Sequence, residues 1–152
     1  MLVVPQWFAA HIGHSALRLA RSHPHSTGAT NTVPSSLAQV QRAGALCLDL
    51  KANNIVLLDL DKVSNATDFF LIASGTSDTH VRAIAEHVVD QLKKEGVRPH
   101  HVEGLAQGRW VLLDYVDFVV HVFHPTLREF YQLERLWGDA RIVAIDAEEA
   151  KV

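Results

Sequence analysis

Hydrophobic and polar positions along the chain switch between a helical and a strand period. Leu37, Val40, Ala43 or Gly44, Cys47 and Leu50 recur at three- and four-residue steps, one stripe of a helix. Ser35 or Ser36 can cap its start and Asn53-Asn54 suit its exit, so a helix is predicted to about Lys51. IVLLDL (Ile55 to Leu60) and FFLIASG (Phe69 to Gly75) are near-continuous apolar runs of strand length, and DKVSNATD between them reads as a polar turn. Such runs predict strands covered on both faces. The helical period returns from Asp78 to about Glu95, with Val81, Ile84, Ala85, Val88, Val89 and Leu92 inward. Asp78 is its expected cap, Lys93 and Lys94 lie at its negative end, and Gly96 stops it. A short strand is predicted near His100 to Glu103, followed by a loop bounded by Gly104 and Gly108. The runs Trp110 to Tyr115 and Asp117 to Phe123 are rich in β-branched and aromatic residues and are separated only by Val116, which predicts two strands joined by a tight turn. Pro125 can open a last helix, along which Leu127, Phe130, Tyr131, Glu134 and Trp137 recur, with Tyr131 and Trp137 in the core and Gly138 as the stop.

The order is helix, two strands, helix, three strands, helix. It predicts a single α/β domain over residues 35–140, with a five-stranded mixed sheet and flanking helices. Residues 141–152 form a tail in which IVAID could add a short strand or trail. Residues 1–34 differ in composition: they hold no Asp or Glu, carry Arg18 and Arg21, and end in a Ser/Thr/Gly/Asn/Pro cluster. Three readings of this leader stand: a flexible extension from an upstream start, a targeting peptide that would send the protein to an organelle, and a docking arm.

With 48% hydrophobic and 20% charged residues, the composition is that of an ordinary globular domain. A formal net charge of -3 argues against a general nucleic-acid binder and for little direct RNA contact. The single Cys47 excludes an internal disulfide, and its place on an apolar stripe reads as core rather than as a nucleophile. No apolar run reaches the length of a membrane span.

The strongest chemical candidate is the carboxylate pair Asp59 and Asp61. Two apart on a strand, they share a face and could meet a metal, with Asp117 as a third acid in a nucleotidyltransferase-like enzyme. The alternative is that they are strand-end residues entering a turn. Chain order favours the second reading. The loop Gly75-Thr76-Ser77 follows the acids instead of preceding them, and Val119 stands where a second carboxylate of the later strand would be. His121 and His124, three apart on a strand, face opposite sides and cannot share a metal with His100 and His101. No catalytic residue, metal site or cofactor is predicted.

The stretch from Gly108 to Trp137 closely resembles the signature of the ribosomal silencing factor (iojap) family. It has a W-x-x-x-D-Y strand at Trp110, Asp114 and Tyr115, a VHVF strand at Val120 to Phe123, and R-x-F-Y-x-L-E-x-L-W from Arg128 to Trp137. One departure is Val116, where the family usually has Gly; a β-branched residue is poorly suited to a positive φ, so the turn avoids that region or is strained. The resemblance covers about Leu37 to Ala140 and implies a nucleotidyltransferase-like fold without that activity. It also implies docking on ribosomal protein fourteen of the large subunit, which blocks the small subunit and represses translation in the cytoplasm, and a part in large-subunit biogenesis. In WVLLDY, Trp110, Leu112 and Asp114 alternate onto one face and Val111, Leu113 and Tyr115 onto the other. One face must pack on helices and the other can be exposed, so Trp110 is either core or an interface anchor. The resemblance points to the interface, with Trp110, Leu112, Asp114 and Tyr115 as contacts. Thr76, Ser77, His80, Glu103 and Arg128 extend the expected surface. The free protein is expected as a monomer or homodimer.

Overall fold

The computed structural model describes residues 35–61, 67–136 and 138–145. The leader, the middle of the predicted polar turn, Trp137 and the end of the tail lie outside the described residues. Helix α1 (Ser36–Asp49) starts at Ser35, whose side chain accepts a hydrogen bond from the Ala38 N–H. Strands β1 (Asn53–Asp59) and β2 (Phe69–Ser74) follow, then helix α2 (Asp78–Lys94), and strands β3 (His101–Glu103), β4 (Trp110–Asp114) and β5 (Phe118–Phe123). Two short helices, α3 (Pro125–Tyr131) and α4 (Leu133–Leu136), precede strand β6 (Arg141–Val143).

The sheet order is β3-β4-β5-β2-β1-β6. β2 and β5 run parallel, and every other neighbouring pair is antiparallel. Alternation along each strand divides the apolar side chains between two layers. Leu57, Leu71, Ala73, Val111, Leu113, Tyr115, Val120 and Val122 join Val40, Cys47, Val81, Ile84 and Val88 of α1 and α2. Leu58, Phe70, Ile72, Trp110, Leu112, Val119 and Phe123 join Leu133, with Leu127, Tyr131 and Ala140 packed against them. Each fully buried Leu, Ile or Phe in these layers contributes about 1.5–3 kcal/mol, so both faces of the central strands are needed for stability.

Three expectations are corrected. The sheet has six strands instead of five, because Arg141–Val143 pairs antiparallel with β1, setting Leu57 opposite Val143 and Asp59 opposite Arg141. The cap of α2 is Ser77 and not Asp78: the Ser77 side chain accepts the His80 N–H, and Asp78 is the first helical residue. The last helix is broken. Gln132 takes φ 47 and donates its N–H to Arg128 O at 3.0 Å. Leu127 and Tyr131 already point at the sheet, and two residues on, at 100° per residue, a continuous helix would turn Leu133 about 200° away. The left-handed residue resets the direction, and Leu133 ends 1% exposed.

The tight turn between β4 and β5 is present and it does not avoid positive φ. Val116 has φ 78, and Asp117 N–H donates to Tyr115 O at 3.0 Å. That two-residue closure at positive φ is the strained form of the γ-turn. It is held from outside by Asp114 Oδ1, which accepts the Val116 N–H at 2.7 Å, and by Thr67 Oγ1, which donates to Val116 O at 3.2 Å.

Candidate interaction surface

All five residues of β4 are buried, so the expected exposed face of this strand is overturned. β4 lies inside the sheet between β3 and β5, and a helical layer covers each side. The Trp110 ring, 4% exposed, packs against Phe123 and Tyr131 at centroid distances of 4.7 and 4.8 Å. Its Nε1–H donates to His121 Nδ1 at 3.1 Å. Because indole nitrogen only donates, His121 Nδ1 must be the bare nitrogen. Leu112 is fully buried. Asp114 is spent on the Val116 turn. Tyr115 stacks on Phe118 at 4.8 Å, its hydroxyl has no hydrogen-bond partner among the described residues, and burial raises its pKa.

The other expected contacts are accessible. Thr76 and Ser77 are exposed, while His80, Glu103 and Arg128 are half-buried. Residues 75–80 form a rigid corner. His80 Nδ1 accepts from Thr76 N–H at 2.8 Å, and His80 Nε2 donates to the carbonyl of Leu50 at 2.6 Å, tying the start of α2 to the end of α1. Gly75 N–H donates to Phe123 O at 2.9 Å, fixing the corner to the end of β5. The loop after β3 leans on the same place: a side chain at Gly108 would lie 2.5 Å from Asp78 O, and Arg82 reaches the carbonyls of Ala106 and Gln107 at 3.4 Å. Arg128 comes from α3, its Nη1 donating to Ser74 Oγ at 2.9 Å. Glu103 on the edge strand accepts from His101 Nε2 at 2.5 Å.

Register sorts these residues by sheet end. Ser74, Phe123 and Trp110 are level with one another, so Thr76, Ser77 and Arg128 share the rim at that end. Asp114 is level with Val119 and His101 toward the opposite end. Sequence reasoning missed Asn53, Asn54 and Ser74, which join Pro125, Arg128 and Glu129 around an open pocket of about 440 Å³ on the rim. The legible signal was the Asn-Asn pair, read only as a helix exit.

The Asp59 carboxylate is engaged in structure. Asp59 Oδ1 accepts the Asp61 N–H at 3.0 Å and Oδ2 pairs with Arg141 at 2.9 Å. Asp117, just before β5, uses its carbonyl to accept the Asp68 N–H at 2.9 Å. Among the described residues no group of three His, Cys, Asp or Glu is placed to hold a metal ion. Burial pushes the Cys47 thiol up to about 12, with Asp49 adding to the effect, so a thiolate is not available there. No described helix is long and apolar enough to cross a membrane.

The family described as Ribosomal silencing factor during starvation matches residues 33–152. A Bacillus subtilis protein named ribosomal silencing factor RsfS is 45% identical over 104 residues, covering 68% of this chain and 88% of the relative. A Mus musculus protein named mitochondrial assembly of ribosomal large subunit protein 1 is 34% identical over 89 residues, which cover 57% of this chain and 39% of that one. A crystal structure from Chromobacterium violaceum is similar with a TM-score of 0.68 at 35% identity, over 69% of this chain and 88% of the other.

Proposed function

Because the chain belongs to the ribosomal silencing factor family, we propose that it represses translation by seating this domain on the large ribosomal subunit and obstructing the small one. The docking partner in this reading is ribosomal protein fourteen, and the contact is made by protein surface with little RNA. The observation that carries it is the rim: an exposed Thr76-Ser77 corner, with Arg128 on the same end of the sheet, held by hydrogen bonds from α1, α2 and β5. A rim fixed in advance loses little freedom on binding, and one interface of about 1,600 Å² in total suffices for a specific complex. Trp110, Leu112, Asp114 and Tyr115 act from beneath, by fixing the strands that carry the rim. The mechanism is volume exclusion, and no bond is made or broken.

The mouse relative's name supports a second role for this chain in large-subunit assembly, and the bacterial relatives support the cytoplasm as its place of action. Sucrose-gradient sedimentation with separated subunits tests the main reading. The protein should travel with large subunits alone and reduce joined particles when small subunits are added. Failure to travel with large subunits, or unimpeded joining at saturating protein, would overturn it.

A further inference from the structure

We infer that the rim pocket is a receptor for one carboxylate of the docked protein, with Arg128 as its cationic centre. This rests on the proposed large-subunit reading and names the chemistry of the contact. The pocket is lined by Asn53, Asn54, Ser74, Pro125, Arg128 and Glu129. Ser74 is 3% exposed, and its hydroxyl accepts from Arg128 Nη1, so a buried residue sets the direction of the guanidinium. The register of β1 slips between Asn53 and Val56, and Asn54 adopts φ 52. Asn tolerates that conformation better than most residues, and a bulge of this kind re-aims side chains at the end of a strand. Two carboxamides and a guanidinium therefore line one opening.

The donors select the ligand. A planar guanidinium fork matches a carboxylate through two parallel N–H···O bonds, and a side-chain amide can add a third. Glu129 brings the formal charge of the lining to zero, so a singly charged carboxylate on the guanidinium is repelled less than a doubly charged phosphate would be. A nucleic-acid backbone also demands several cations in a row, and among the described residues Arg128 is the one cation of the lining. The carboxylate can come from an Asp or Glu side chain or from the end of a partner chain; both present the same group.

The test uses the full chain and purified large subunits. R128E should weaken co-sedimentation about tenfold or more, as loss of a charge-paired interface contact does, and N54G, which keeps the positive φ but removes the amide, should weaken it several-fold. Circular dichroism confirms that both variants are folded. R128K supplies an amine at the same place. Treating its complex with a water-soluble carbodiimide should form an amide from position 128 to a carboxyl of a large-subunit protein. Mass spectrometry then separates the sources, side chain or chain end, and either supports the inference. Undiminished binding of R128E, or an R128K complex that co-sediments yet yields no protein cross-link at position 128 or links there to RNA, overturns the pocket assignment and leaves the subunit-binding reading standing. Wild-type protein that ignores large subunits overturns both.

Discussion

Strand β4 and the corner at residues 75–77, which follows β2 of the same sheet, put their side chains to opposite uses. β4 and the residue after it carry the most recognisable letters of the chain, and each of them is buried or bonded inward: Trp110 to His121, Asp114 to the Val116 turn, Tyr115 against Phe118. The corner has a plain Gly-Thr-Ser sequence, and it leaves Thr76 and Ser77 in solvent. A family signature can therefore be a packing signature, with the exposed corner beside it made of plainer residues.

That contrast can be broken most forcefully at Trp110. Trp110→Ala should cost about 3–5 kcal/mol of stability, from the cavity and from the stranded His121 nitrogen, measured by urea denaturation. A folded variant of near wild-type stability with reduced large-subunit binding would instead make the ring a direct contact. Alkaline pH probes the same interior. Cys47 is raised from its ordinary 9.0 to about 12 and Tyr115 is raised as well, by burial first in both cases. An acid that keeps its proton folded and loses it unfolded stabilises fully below the ordinary value, and that stability declines as pH rises from about 9 to about 12. The fall should approach about 1.4 kcal/mol per pH unit for a fully buried group, and Cys47→Ala should flatten it. A slope unchanged in that variant would remove Cys47 from the account.

At the corner, Ser77→Ala should lose about 1 kcal/mol through the missing cap. Ser77→Asp keeps a capping oxygen and adds charge to the rim. It should melt like wild type while binding large subunits more weakly; unaltered binding would take Ser77 out of the interface. The smallest effect is a gain. Val116→Gly relieves a positive φ at a β-branched residue but frees the unfolded chain, and the balance should be a stabilisation of about 0.5–1 kcal/mol in thermal denaturation.

Much of the fold was legible because its signals are local. Ser35 caps one helix, Pro125 opens another, and the apolar runs of β1, β2, β4 and β5 have strand length. Asn53-Asn54, read as a helix exit, instead begin β1, and the helix before them ends at Asp49. What escaped was decided by tertiary packing. The helical period from Leu127 to Trp137 gave no hint of the break at Gln132, which exists to turn Leu133 inward. Arg141 to Val143 has too few residues to declare a strand without the β1 edge to receive it. The rim was half legible. Thr76, Ser77 and Arg128 were named from their positions, whereas the pocket needed the register that brings Asn54 and Ser74 together. Alternation along WVLLDY gave the correct two faces, but it could not reveal that both are covered.

The last strand has a consequence for anyone trimming this protein. β6 occupies the outer N–H and C=O groups of β1 through only three residue pairs, fastened by Arg141 on Asp59. A chain cut after Ala140 would leave a seven-residue border of backbone donors and acceptors bare, a ready template for stacking with other molecules. Such a fragment should be prone to precipitate even with its core intact.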